Sequence, residues 1–510
     1  MENSRTKNST YSMLACMIYY IVNILFGLLN RRMLISILGI DYQGVNGLFG
    51  SVLNLLSIAE LGIGTAIIYH LYKPLAEHDK EKIGSIMQFY KKCYTGIAVV
   101  MFVVGSLLSI RIDFFVNECS LPLNLHIVYF LMLADSIATY TFAYKRSILY
   151  ADQKNYVVAI INTSFVLLYN IAQIAILYIT NDYYYYLTVK LLFRVIENVS
   201  INIYVNKKYR YLSAKTYPPI SKEVLADIIL KIKGLLFHKI STFIVNGTDN
   251  ILISKFLGLS LVGIYSNYYY VISSLNAILQ QAFDGITGSV GNLIATSERT
   301  KRLSVFGELN SINTLLSALF VNVLLVSINP FVSLVFGSEY LLDNVTLIVL
   351  AINMVFTNQR RVFGVFKSAA GIQYEDRYVP VVESIVNIGM SLILLHIFGI
   401  VGVFLGTLIS QLCDFSYTFP VFVYGKVLGG SFGEYIKCIS FNLSYHTITI
   451  AITIFIFSLN NCTNFGTFVA TVLFTIIQTI LLFWCFWQRT PYCIAVVNRI
   501  KTVLHKKTNR

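Results

Sequence analysis

Fourteen apolar stretches, each long enough to cross a bilayer, constrain this chain more than any motif in it. They fall at 11–36, 43–70, 93–112, 125–144, 156–180, 184–205, 236–256, 261–288, 309–336, 341–366, 379–398, 402–424, 438–458 and 465–487. A crossing helix needs about 20 mostly apolar residues, and a backbone in hydrocarbon must satisfy its own hydrogen bonds, which helices do. With 56% hydrophobic and 13% charged residues over 510 positions, the chain is too apolar for a soluble protein with one ordinary core. The expected fold is an all-α polytopic membrane protein.

Charge placement orients it. Of the 39 lysines and arginines, 31 fall in the tails and in alternate connecting segments. These include Lys73 to Lys92, then Lys145, Arg146 and Lys154, the longest loop at 206–239, and a tail with Arg489, Arg499, Lys501, Lys506, Lys507 and Arg510. The seven turns on the opposite side carry none. The positive-inside rule then predicts that both termini are cytoplasmic. The net charge of +14 reads as this bias plus attraction to anionic headgroups, with no nucleic-acid surface implied. No small-residue cleavage site follows the first apolar stretch, so span one is expected to stay. The eight cysteines show no C-x-x-C spacing, and only Cys119 and Cys462 fall in outer turns, so they read as packing residues.

The chain also repeats itself at an offset of about 220 residues. Leu34-Ile35-Ser36, Leu38-Gly39 and Gly44-Val45 recur as Leu252-Ile253-Ser254, Leu257-Gly258 and Gly263-Ile264, with one inserted residue. Ala76 to Lys82 falls over Ala295 to Lys301, and Lys154-Asn155-Tyr156-Val157 over Asp376-Arg377-Tyr378-Val379. Spans one to six therefore correspond to spans seven to twelve. Six being even, the two bundles are expected to run parallel, related by a pseudo-two-fold along the membrane normal. The domains expected are a six-helix bundle at 1–205, a cytoplasmic linker at 206–235, a second six-helix bundle at 236–437, and two added helices with a basic tail at 438–510. The linker, with Pro218-Pro219 and an amphipathic stretch after it, is expected to lie along the cytoplasmic surface.

Eight basic residues fall outside the cytoplasmic segments: Arg31, Arg32, Arg111, Lys190, Arg194, Lys255, Arg360 and Arg361. A charge facing lipid at mid-membrane costs at least about 2.5–3.5 kcal/mol, so each must face protein, a cavity or headgroups. Arg31 and Arg32 diverge by about 100° on a helix, so they cannot share one face. They line a wet face or anchor the outer headgroups. In the repeat they fall over Asp249 and Asn250, with Lys255 a turn or two on. Lys190, Arg194 and Glu197 have the spacing of an ion-pair ladder. Glu383, Asn387 and Ser391 form one stripe of span eleven and must face other helices. Asp249, Asp284, Glu383 and Asp414 are candidates for ion coupling or for pairing with the buried cations. Tyr183 to Tyr186 reads as an aromatic belt, whereas Tyr265, Asn267, Tyr268 and Tyr269 are candidates for sugar contacts or for helix packing. No nucleotide-binding, zinc-protease or dinucleotide motif is present, and no catalytic group, cofactor or metal is expected.

Two stretches carry a family resemblance. Thr248-Asp249-Asn250-Ile251-Leu252-Ile253-Ser254-Lys255-Phe256-Leu257-Gly258 is one. The other runs from Phe366-Lys367-Ser368-Ala369-Ala370-Gly371 through Asp376-Arg377-Tyr378-Val379-Pro380, Glu383 and Asn387 to Gly399-Ile400-Val401-Gly402-Val403, Gly406-Thr407 and Ser410. They resemble the Wzx-type repeat-unit flippases of the multidrug, oligosaccharidyl-lipid and polysaccharide exporter superfamily, over essentially the whole chain. The resemblance implies movement of an undecaprenyl-pyrophosphate-linked oligosaccharide to the outer leaflet of the bacterial inner membrane, for O-antigen, capsule or exopolysaccharide. It implies membrane lipids, a polysaccharide polymerase and a chain-length regulator as partners. It also implies a cationic site for the pyrophosphate, carried here onto Arg31 and Arg32, with Lys255 and Arg360 behind them. Two other functions fit: an ion-coupled drug or metabolite exporter of the same superfamily, and a membrane scaffold for glycan-assembly enzymes.

Overall fold

The computed structural model describes residues 2–60, 63–116, 121–213, 217–459, 465–488 and 490. Cys119, Cys462, Cys493, Arg489 and the basic residues of the tail lie outside the described residues. Within them the chain is predominantly helical, with no strand. Eight helices are long and apolar enough to cross a membrane, or nine with one bent pair counted as a single span.

The chain forms two compact units, Met1–Ser266 and Asn267–Arg510. Unit one contains α1 (Glu2–Leu38), α2 (Ile40–Leu56), α3 (Ile63–Ala76), α4 (Lys80–Ser109), α5 (Leu125–Thr141), α6 (Ala143–Ala151), α7 (Asn155–Thr180), α8 (Tyr183–Lys208) and α9 (Lys222–Leu257). Helix α10 (Leu259–Asp284) begins in unit one and continues in unit two. Then follow α11 (Thr287–Thr296), α12 (Arg299–Val335), α13 (Asn344–Ala370), α14 (Val379–Phe398), α15 (Ile400–Cys413), a π-wound stretch (Asp414–Val427), α16 (Phe432–Leu459) and α17 (Phe465–Trp487). Each of the fourteen expected spans falls on one helix or one broken pair among the described residues.

Side-chain caps start the helices where the sequence supplies acceptors. Asp79 accepts from the Lys82 amide, Asn124 from His126, Asp182 from Tyr184 and Asp343 from Thr346. Each occupies an amide that has no carbonyl four residues back. One expected element differs. The amphipathic stretch after Pro218-Pro219 is no separate surface helix, because α9 runs unbroken through it into span seven. Its only breaker is Gly234, and a single helical glycine costs about 1 kcal/mol, too little to end a helix of this length.

The repeat has a physical counterpart inside unit one. Gly39 and Gly258 hold the one-residue breaks between α1 and α2 and between α9 and α10, with φ of 107° and 97°. Both angles lie where an L side chain clashes with its own backbone. Five residues after each break, a glycine permits close approach. A Cβ on Gly44 would stand 2.1 Å from the Leu259 carbonyl oxygen, and one on Gly263 would stand 2.4 Å from that of Ile40. The two corners therefore contact each other reciprocally through equivalent residues, and Asp41 accepts a hydrogen bond from its repeat equivalent Ser260. In a background lacking the eight native cysteines, Asp41→Cys with Ser260→Cys is expected to crosslink under mild oxidation. Adding Gly44→Leu should abolish the crosslink, as read by electrophoretic mobility after an engineered cleavage between the two cysteines.

In unit two an aromatic core joins α12, α13 and the π-wound stretch, with Phe306, Phe363, Phe366 and Phe419 buried and Phe363 stacked on Phe419 at 4.6 Å. The last helix, α17, attaches to α12 through Trp487 Nε1 donating to Ser311 Oγ (2.8 Å) and Asn322 donating to Thr479 Oγ1 (3.2 Å).

Candidate functional site

Asn30 fixes the rotation of α1. Its amide donates to Asn170 Oδ1 (2.8 Å) and Gln173 Oε1 (2.9 Å) on α7 and accepts from Tyr186 OH (2.8 Å) on α8. The orientation this imposes separates the arginine pair. Arg31 turns inward, and its Nη1 donates to the Ser266 carbonyl at 3.2 Å, beside Gln43 Nε2 donating to Ser266 Oγ at 3.1 Å. Arg32 stands on the exposed stripe of Leu14, Ile18, Ile21, Leu25 and Leu29. A stripe of leucine and isoleucine is what lipid requires of a helix face, so Arg32 is the member of the pair that snorkels. Asn30→Ala is expected to leave Asn170, Gln173 and Tyr186 short of partners and to lower stability by about 1–3 kcal/mol, read as a fall in unfolding temperature in detergent.

The other candidates are dispersed. Lys255, on the last turn of α9, stacks over the Phe114 ring at 4.6 Å. Asp249 is buried one position before Asn250, whose amide donates to Ser51 Oγ (2.9 Å) and the Gly47 carbonyl (3.3 Å) on α2. Tyr265 and Asn267 are buried, while Tyr269 is exposed. Tyr268 bonds to Asn329 Oδ1 (2.5 Å) and accepts from the Leu342 amide (3.0 Å), which makes it an anchor between α10, α12 and the start of α13. Asp284 is exposed at the end of α10 and accepts from Gln280 (2.6 Å). In the tyrosine run, only part faces outward. Tyr185 is exposed, but Tyr183 and Tyr186 are buried one turn apart and stacked, because their hydroxyls meet Asn46 and Asn30.

Arg360 sits in an ion cluster of unit two. It forks onto Glu383 (2.7 and 3.1 Å) and reaches Asp414 with the same guanidinium. Both carboxylates are buried. The cluster therefore accounts for Arg360, Glu383 and Asp414 together and spends the cation internally, where the sequence reading had placed it beside a phosphate. Asn387 continues the stripe, donating to Thr407 Oγ1 (3.1 Å) on α15. A comparable ladder runs through unit one. Lys190 and Arg194 both meet Asp135 (3.3 and 3.4 Å), Arg194 meets Glu197 (3.2 Å), and Arg146 meets Glu197 (2.7 Å).

Arg361, one of the eight basic residues that must face protein, a cavity or headgroups, has different surroundings from Arg360. It is buried, and it bonds Asn358 Oδ1 (2.6 Å), Gln280 Oε1 (2.7 Å) and the Asn276 carbonyl (3.3 Å). No carboxylate lies within ion-pair distance of it among the described residues. Its neighbour Arg360 has two, and only the 100° step between them hinted that their surroundings would differ.

Neither a protein-family model nor a curated protein sequence matches the chain. Solved structures do match by fold. The lipid II flippase MurJ in an inward closed conformation is 13% identical, with a TM-score of 0.66 over 93% of this chain and 99% of that one. An inward-facing multidrug resistance MATE transporter of the MOP superfamily is 14% identical, with a TM-score of 0.60 over 79% and 96%. A MOP superfamily transporter from Pyrococcus furiosus is 14% identical, with a TM-score of 0.54 over 81% and 94%. The chain is a multi-pass membrane protein with the fold of MOP superfamily transporters, and these neighbours are transporters and a flippase, not enzymes.

Proposed function

We propose that this chain moves an undecaprenyl-pyrophosphate-linked oligosaccharide repeat unit from the inner to the outer leaflet of a bacterial cytoplasmic membrane during surface polysaccharide assembly, with both termini in the cytoplasm. The observation that carries this reading is the extent of the likeness to the lipid II flippase. A match over 93% leaves fewer residues unmatched than α16 and α17 hold together, which is 51 of 510. The two helices added after the repeat therefore have at least partial counterparts in a lipid flippase, which supports a lipid-linked substrate.

Arg31 is the residue to which we assign the pyrophosphate, since a guanidinium suits phosphate oxygens and this one is held inward by Asn30. Arg32 supports it from the lipid side. Of the sugar-contact candidates, Tyr269 is the one with an exposed side chain, and a polymerase and a chain-length regulator are the expected protein partners. The test is deletion of the gene, followed by labelling of lipid-linked oligosaccharide with a sugar-binding probe that cannot cross the membrane. Complete repeat units trapped on the inner leaflet support the flippase; unchanged distribution with normal surface glycan overturns it. The second reading, a drug or metabolite exporter, draws on the MATE likeness and on two buried carboxylates sharing the single guanidinium of Arg360. In that reading the deletion strain would become drug-sensitive with its glycan intact.

A further inference from the structure

At the cytoplasmic end of unit one, away from Arg31, a cavity of about 740 Å³ opens between α4, α6 and α8. That volume is in the range of small-molecule sites. Lys91 and Lys92 enter it from α4, Lys145 from α6, and Gln88, Asn202 and Asn206 supply neutral polar groups. None of its lining residues is acidic.

Lys145 is the telling member. It is 6% exposed, and its ammonium donates to the neutral Asn206 Oδ1 at 2.6 Å. No carboxylate pairs with it among the described residues. Every other ion pair around it follows the opposite pattern: Arg146 next in sequence has Glu197, and Lys154 has Asp152. An ammonium has three donors, and a buried charge needs a counter-charge, so the arrangement is complete only with an anion present.

The two flanking helices say what carries that anion. On α4 the stripe of Gln88, Lys92 and Thr95 continues toward mid-membrane as the exposed Val99 and Val103. On α8 the stripe of Asn206 and Asn202 continues the same way as the exposed Val199 and Val195. Each helix thus presents polar groups at headgroup depth and bare apolar side chains beside the acyl region. Basic pockets of this kind between membrane helices on the cytoplasmic side suit anionic headgroups. We infer that the Lys91–Lys92–Lys145 cavity is a binding site for the phosphate group of an acidic inner-leaflet phospholipid, with the acyl chains lying along α4 and α8.

The test uses the purified full-length protein. Native mass spectrometry and binding titrations would compare phosphatidylglycerol with phosphatidylcholine. Wild type should retain phosphatidylglycerol selectively, and Lys91→Gln with Lys92→Gln should weaken it by about tenfold or more. Both lysines are exposed, so this pair should fold; Lys145→Gln, which keeps a donor for Asn206, should act in the same direction. Lys80→Gln with Lys82→Gln, on the same helix outside the cavity, should change nothing. Displacement of the lipid by millimolar inorganic pyrophosphate would support the phosphate site while assigning its supply to the aqueous side. Equal retention of phosphatidylglycerol by the Lys91/Lys92 variant and wild type, or equal binding of the two lipids, would overturn the inference.

Discussion

Arg31→Ala is expected to cut surface polysaccharide at least about tenfold while the protein remains in the membrane. A charge-assisted hydrogen bond to phosphate contributes about 1.5–3 kcal/mol, and a flippase that cannot hold the pyrophosphate loses the step that commits its substrate. Arg32→Ala is expected to leave most of the output, because that side chain lies on the leucine and isoleucine stripe of α1. Replacing both should abolish output, and Arg31→Lys should be intermediate, since an ammonium keeps the charge without the planar fork. Surface glycan is quantified beside a membrane-fraction immunoblot of the variant. Normal glycan from the double variant would refute the assignment.

The second large effect is on stability. Arg360→Ala leaves Glu383 and Asp414 buried against each other without their cation, which is expected to cost about 3–5 kcal/mol. The readout is thermal unfolding in detergent, with loss of folded protein from the membrane if the margin is exceeded. Arg360→Met combined with Glu383→Gln and Asp414→Asn removes all three charges and should recover most of that loss. Such recovery distinguishes an uncompensated charge from a lost packing volume. Retention of wild-type stability by Arg360→Ala alone would mean that the acids are protonated or separately solvated.

Why some of this was legible before the fold was known, and some was not, follows from what periodicity measures. The all-helical polytopic fold could be read because bilayer thickness sets a minimum apolar length, and the repeat could be read because Gly39, Gly44, Gly258 and Gly263 occupy positions where a side chain does not fit. Helical spacing placed Lys190, Arg194 and Glu197 on one face, yet it carries no information about the helix opposite, so Asp135 as the acceptor shared by Lys190 and Arg194 was out of reach. The same holds for Arg31 and Arg32. A 100° step says that one of them points inward, and only the Asn30 contacts with α7 and α8 decide which. For Arg360 the stripe containing Glu383 was visible, but pairing to Asp414 depends on how α13, α14 and the π-wound stretch pack. The tyrosine run misled because composition suggests an interfacial belt, whereas Asp182 caps α8 so that Tyr183 and Tyr186 turn inward.

The continuity of α9 has a mechanical meaning. Its 36 residues span about 54 Å, against a hydrocarbon core of about 30 Å, so a substantial length of one rigid rod stands clear of the lipid. At its C-terminal end lies the Gly258 break, after which Gly263 packs against Ile40 and Gly44. Toward its N-terminal end Asp227 pairs with His70 of α3 at 2.9 Å. A hydrogen-bonded rod does not absorb torque along its length. A force applied at one end of α9 is therefore carried to the corner at the other.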